Sequence, residues 1–215
     1  MQISSSAPKP AAKSTDSGGG GSARLSVIFD PPQGITPAPI TVKIGGRVYT
    51  APARTAGGWL EALYAAGWLK RWRIIGDPEH DPDGLGAAGI MDVCCNDARD
   101  AYRLALAIDE GTVSVAALAE AGRKVIAKAS GVDWWIAERL ALQSVSWSGI
   151  GGELYVKGLR PHEVPLPVWL GATYRTWMGM LDDKARTAAD TALSLPPAGY
   201  DSDEPLPASL GELFV

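Results

Sequence analysis

Two histidines, two cysteines and a scatter of carboxylates are the groups from which this chain would build a reactive centre. His80 lies in the run GDPEHDPDG, residues 76 to 84, where Asp77, Glu79, Asp81 and Asp83 alternate with other residues. Alternating carboxylates suit a hard cation. This run, however, lacks the downstream glutamate of a helix–loop–helix calcium site, and Pro78 and Pro82 interrupt a continuous coordinating loop. One histidine without a second nearby does not make a zinc site. Cys94 and Cys95 are neighbours, so a bond between them would close a strained ring; two reduced thiols are expected. Ser146 and Ser148 offer hydroxyls, yet no base is placed beside them by local spacing. Asp133 and Glu138 are a conceivable carboxylate pair. No nucleophile elbow, metalloprotease helix, phosphate loop or dinucleotide fingerprint occurs. The expectation is a protein without enzymatic activity, cofactor or metal.

The elements that would position any site centre on residues 131 to 183, which carry five of the eight tryptophans. At 100° per residue, Arg139, Gln143 and Ser146 share a narrow polar arc, while Trp134, Trp135, Ile136, Leu140, Leu142, Val145 and Trp147 surround the rest of a helix nearly encircled by protein. Glu138 falls on the apolar side, and its expected behaviour is to bend out to water or pair with an arginine, since an unpaired buried carboxylate is costly. A second helix opens at Val164 to Pro167, where proline suits a first turn, and carries Leu166, Leu170, Tyr174, Trp177 and Leu181 as a stripe. Between the two helices, Gly149 to Gly152 are read as a helix stop and Glu153 to Lys157 as a short strand or extended crossover.

Around this pair, the run ITVKIGGRVYT from Ile40 to Thr50 reads as a hairpin turning on Gly45 and Gly46, with Ile40, Val42 and Ile44 on one face and Val48 as their candidate partner. Thr55 is a cap for a helix to about Arg71 carrying Trp59, Leu60, Leu63, Tyr64 and Trp68. Residues 85 to 108 read as helical in one or two pieces, with Ile90, Val93, Cys94, Tyr102, Leu104, Leu106 and Ile108 as contacts. Ser114 caps a helix on which Val115, Leu118, Ala119, Gly122, Val125, Ile126 and Ala129 recur at helical spacing, closed by Gly131. A more polar helix spans Asp182 to Leu195. The fold class is mostly α: a compact domain of five to six helices with an N-terminal β-hairpin and flexible, Pro/Gly-rich ends. In domain terms, residues 1–23 are a disordered tail, 24–54 an extended segment and hairpin, 55–195 the helical domain, and 196–215 an acidic Pro-rich tail.

Composition narrows the partners. With 20 Lys and Arg against 24 Asp and Glu, the net charge is −4, which argues against a nucleic-acid surface. Lys70, Arg71 and Arg73 are read as cations at a helix end. No run of apolar residues suffices for a membrane span, and no secretory signal opens the chain. Eight tryptophans exceed what a small core requires, so some are expected at an interface, including one formed by self-association.

Several stretches together resemble the tail assembly chaperones of long-tailed phages infecting actinobacteria: the hairpin from Ile40 to Thr50, AGGWL at 56–60, DWWIAERL at 133–140, WSGIGGEL at 147–154, KGLRP at 157–161, and the acidic end from Pro196. The resemblance runs over roughly residues 40 to 205. It implies a non-enzymatic helical protein, made in the cytoplasm of the infected bacterium and absent from the finished virion. Such a protein keeps the tape measure protein soluble and helps gather tail tube subunits; a chain ending at Val215 would be the shorter of two products related by a frameshift. Helix-in-groove contacts would cover the apolar stripes of the tape measure, and the face with Trp134, Trp135 and Leu142, or the stripe Leu166, Leu170, Tyr174 and Trp177, is the expected partner surface. Two other roles fit the same sequence: a head-to-tail connector or neck protein retained in the particle, and a small ligand-binding or enzymatic helical domain whose pocket would gather Glu138, Asp133 or His162.

Overall fold

The computed structural model describes residues 36–65, 85–145 and 149–197. The segment 1–23, the basic cluster Lys70 to Arg73, the acidic loop 76–84 with His80, Trp68, Ser146, Trp147, Ser148 and the tail from residue 198 lie outside them. The described chain is mostly helical with one two-stranded antiparallel sheet, as expected.

Strands β1 (Ile40–Ile44) and β2 (Arg47–Ala51) pair with Ile44 opposite Arg47, Val42 opposite Tyr49 and Ile40 opposite Ala51. Gly45 and Gly46 take φ of +54° and +83°, the left-handed conformation that a two-residue hairpin turn demands and that a Cβ disfavours. The inner face consists of Ile40, Val42, Ile44, Tyr49 and Ala51. Val48 does not join it. The register sets Val48 opposite Lys43 on the outer face, 67% exposed, because side chains alternate and Tyr49 holds the inward parity. The two glycines differ in surroundings: a Cβ on Gly45 would lie 2.4 Å from the buried Val113 Cγ2, whereas one on Gly46 meets nothing within 4 Å. Gly45→Ala is therefore expected to cost about 2 kcal/mol, strain and overpacking together, and Gly46→Ala about 1 kcal/mol from strain alone; paired thermal melts check the difference.

Eight helices follow among the described residues. Helix α1 (Ala56–Ala65) buries Trp59, Ala62 and Leu63. Its first amides have no helical partners and donate elsewhere, Ala56 N–H to Val164 O at 2.8 Å and Gly57 N–H to Pro161 O at 2.7 Å. This fastens α1 to the loop before a helix a hundred residues later. Helices α2 (Leu85–Cys94) and α3 (Ala98–Asp109) are separate, since the Asp97 carboxylate accepts from Asp100 N–H at 2.8 Å and starts α3 afresh. On α3, Leu104 is buried, but Tyr102 and Leu106, expected to supply apolar contacts, are exposed; they lie on a helix whose inward stripe is filled by Leu104, with Ala101 and Ile108 packed at its edge.

Helix α4 (Val115–Ser130) is capped as its sequence indicates: Ser114 Oγ accepts from Ala117 N–H at 3.1 Å, and Gly131, at φ +73°, donates to Ala127 O. Its stripe of Leu118, Gly122, Val125 and Ile126 is buried, and it packs against β1, α2, α5 and α7. The centre of the fold is thus shared between α4 and the α5–α7 pair.

Helix α5 (Trp134–Ser144) packs on α7 (Leu166–Met180), and α8 (Asp183–Ser194) leans on α5. Trp134 and Trp135 meet edge to face at 5.8 Å, and the Arg123 guanidinium of α4 sits 5.0 Å above Trp134. The expected strand at Glu153 to Lys157 is instead part of α6 (Ile150–Val156) with the turn after it. Ile150 and Leu154 are buried one turn apart, Glu153 and Lys157 pair at 3.6 Å, and Gly149 precedes the helix rather than stopping one. The stop comes at Gly158, φ +85°, where Leu159 N–H reaches back to Leu154 O.

Candidate functional site

Among the described residues the chemistry candidates do not assemble. His162 is exposed, its Nε2 3.9 Å from Glu61 Oε1 on α1, and its ring lies against Gly57, where a Cβ would meet it at 2.3 Å. Asp133 is exposed at the start of α5 and makes no side-chain capping bond. Glu138 is 6% exposed and engaged within the fold rather than turned to water. None of these three lines the clefts described below. Among the described residues no group of three or more His, Cys, Asp and Glu is placed to hold a metal ion, and no helix is long and apolar enough to cross a membrane.

Both cysteines are buried free thiols. Burial, with the neighbouring thiol second, pushes Cys94 up to about 12; burial, with the carboxylates of Asp100, Asp97 and Asp92 after it, pushes Cys95 up to about 11. Thiolate is the reactive form. Native protein at pH 8 should therefore resist iodoacetamide, while protein in denaturant reacts at both positions. The same shifts set a pH limit. Unfolded thiols ionise near 9 while the folded ones keep their protons, so this contribution to stability is complete below pH 9 and is lost as pH rises towards 11 and 12.

Of the seven side chains expected to meet a partner, Trp134, Trp135, Leu166, Leu170 and Tyr174 are buried, and Trp177 is half-buried against the core. Leu142 is 40% exposed, on the outer side of α5. The two helical stripes are therefore brought together against each other, as the facing surfaces of α5 and α7. The Tyr174 hydroxyl donates to Asp190 Oδ1 at 2.6 Å, fixing α7 to α8 through a buried carboxylate.

Surface clefts lie elsewhere. One, of about 270 Å³, is lined by Pro37, Pro39, Trp59, Lys128, Pro165 and Arg54 among others. Arg54 is committed there: Nη2 reaches Asp92 O and Oδ2, each at 3.1 Å, and the guanidinium lies 5.8 Å from the Trp59 ring centroid. Two further clefts, of about 420 and 520 Å³, adjoin each other and share Arg47, Tyr49 and Arg103, forming a groove between β2 and α3. Val48 on one bank and Leu106 on the other are 67% and 40% exposed. Large apolar side chains gathered beside a groove mark a contact surface more often than scattered ones do.

The charges around this groove are unevenly satisfied. Arg103 pairs with Asp100 of its own helix at 3.3 Å. Lys43, Arg47 and Arg99 have no carboxylate within ion-pair reach among the described residues. The groove lining itself carries both signs, Arg47 and Arg103 with Asp100 and Glu110. Comparison with family models, curated proteins and solved structures finds no match to this chain. Sequence periodicity missed the groove because Leu106 reads as an apolar contact of its helix; the available signal was that Leu104 already supplied the inward position of that turn.

Proposed function

We propose that this protein is a non-enzymatic protein-binding domain that serves as a phage tail assembly chaperone in the cytoplasm of the infected bacterium, holding the tape measure protein and helping to recruit tail tube subunits. The observation that carries the protein-binding part is the groove between β2 and α3, which exposed Val48 and Leu106 line together with Arg47, a cation without a carboxylate in ion-pair reach among the described residues. The choice of partner rests on the resemblance of the hairpin, the tryptophan helix and the acidic end. Two of those stretches meet on one framework in this chain: the hairpin packs on α4, and α4 packs on the tryptophan helix α5. Relocating the contact from the α5 and α7 stripes to the groove keeps the chemistry of the reading, because a long tape measure helix exposes apolar side chains that a chaperone must cover. Many modest contacts along one partner permit release when the tube assembles.

Co-expression with a tape measure protein from the same genome, followed by pull-down and by examination of purified particles, tests the role. The expected result is a soluble complex with the tape measure and no copies of this chain in particles. A fixed copy number in particles with no hold on the tape measure would sink the chaperone role in favour of a connector.

A further inference from the structure

We propose that the outer face of α3 binds a second copy of this chain, the two α3 helices lying antiparallel across a two-fold axis near residue 104. This pairing needs no other protein and so goes beyond the protein-binding reading above.

At 100° per residue, Arg99, Tyr102, Arg103, Leu106, Asp109 and Glu110 fall within an arc of about 120° centred on Leu106. All of them are exposed, Tyr102 at 65% and Leu106 at 40%, while Leu104 points the other way into the core. The arc has a polarity along the helix. Its first turns carry the cations Arg99 and Arg103, its end carries the carboxylates Asp109 and Glu110, and the two large apolar side chains stand between them. Arg103 is held by Asp100 of the same helix. Arg99 has no carboxylate, and Asp109 and Glu110 have no cation, within ion-pair reach among the described residues.

This order is its own complement when reversed. An isologous contact sets residue i against j and j against i. With the axis at residue 104, Arg99 of one copy stands opposite Asp109 of the other, with Glu110 beside it, and Tyr102 stands opposite Leu106. Each pairing occurs twice. The apolar side chains then meet at the centre and the charges at the rim, the usual anatomy of a protein interface. A parallel alignment would set Arg99 against Arg99 and carboxylate against carboxylate, and would align the two helix dipoles instead of opposing them. A foreign partner would have to present the same order reversed, whereas a second copy presents it by symmetry. One face of a 12-residue helix covers less than the roughly 1,200 Å² of a stable interface, so the dimer is weak and concentration-dependent. Leu106 also lines the groove between β2 and α3, and a partner seated there contends with the second copy for that side chain.

Sedimentation of the full chain, from low micromolar to several hundred micromolar, tests the pairing. The unaltered protein should pass from monomer to dimer across that range. Arg99→Glu in one chain, and Asp109→Arg with Glu110→Arg in another, should each weaken the dimer at least about tenfold, because the axis repeats every altered pair. Both changes place charges that favour the α3 dipole, acidic at its start and basic at its end, so neither loss can be assigned to unfolding. Mixing the two variants should restore a dimer of one copy of each, since every reversed pair is then attractive again. Tyr102→Ala should also weaken the dimer, and Val48→Ala on the other bank of the groove should not. A chain that stays monomeric throughout would overturn the proposal. So would a dimer indifferent to the charge variants, or variants that fail to pair when mixed. Failure of the tape measure pull-down with the charge-swap result intact removes the assembly role and leaves the pairing; a monomeric chain that still holds the tape measure removes the pairing and leaves the role.

Discussion

Leu170→Ala is expected to lower the stability of the protein by about 3–4 kcal/mol, read as a fall in the urea midpoint with an unchanged slope. Leu170 is wholly buried on α7, where that helix packs on α5 and close to α4. Removing its branched end leaves a cavity between helices that are held apart by Trp134, Trp169 and Tyr174 and cannot collapse freely around the loss. Leu142→Ala is the matched control. The same chemical change at a side chain 40% exposed should cost below about 1 kcal/mol. If the α5 and α7 stripes were a partner surface, Leu170→Ala would leave the isolated protein nearly as stable and would weaken a complex instead. Trp177, half-buried at the edge of the core, should fall between Leu170 and Leu142 when truncated.

The legible parts of this fold are those in which local chemistry and tertiary packing demand the same thing. Gly45 and Gly46 require positive φ, and the hairpin turns there; Ser114 and Gly131 mark the ends of α4 because a hydroxyl and a missing Cβ act locally. Pro165 and Pro167 open α7 for the same kind of reason. Where the choice depended on what stands opposite, sequence alone was insufficient. Residues 153 to 157 alternate well enough for a strand, yet the burial of Ile150 with Leu154 draws them into α6. Val48 and Tyr49 are both good strand residues, and only the register decides which one faces inward. Tryptophan number suggested an interface, but Trp59, Trp134, Trp135 and Trp169 are all buried. The groove between β2 and α3 is made of residues about a quarter of the chain apart, and no periodicity encodes a gap between two elements.

Arg139→Ala is the second large effect expected, about 3 kcal/mol. In the sequence it stands on the narrow polar arc of a helix otherwise encircled by protein. In the fold, Nη1 faces the carbonyl oxygens of Ala192, Leu193 and Leu195, the last two at 3.1 and 2.7 Å. These carbonyls belong to the end of α8, where helical geometry leaves the final oxygens without partners and the peptide dipoles concentrate negative charge. The last turn of α8 has no basic side chain of its own, so α5 supplies the cation from more than fifty residues away. Losing it uncaps α8 at the point where Leu193 enters the core, and Asp190, held by Tyr174, lies one turn before. Arg139→Lys should recover part of the loss, keeping the charge but not the planar fork that reaches several oxygens at once. Hydrogen exchange gives the decisive reading, because the amides of α8 should lose protection in Arg139→Ala well before those of α4. A uniform loss across both helices would mean that α8 does not open by itself and that Arg139 acts on the domain as a whole.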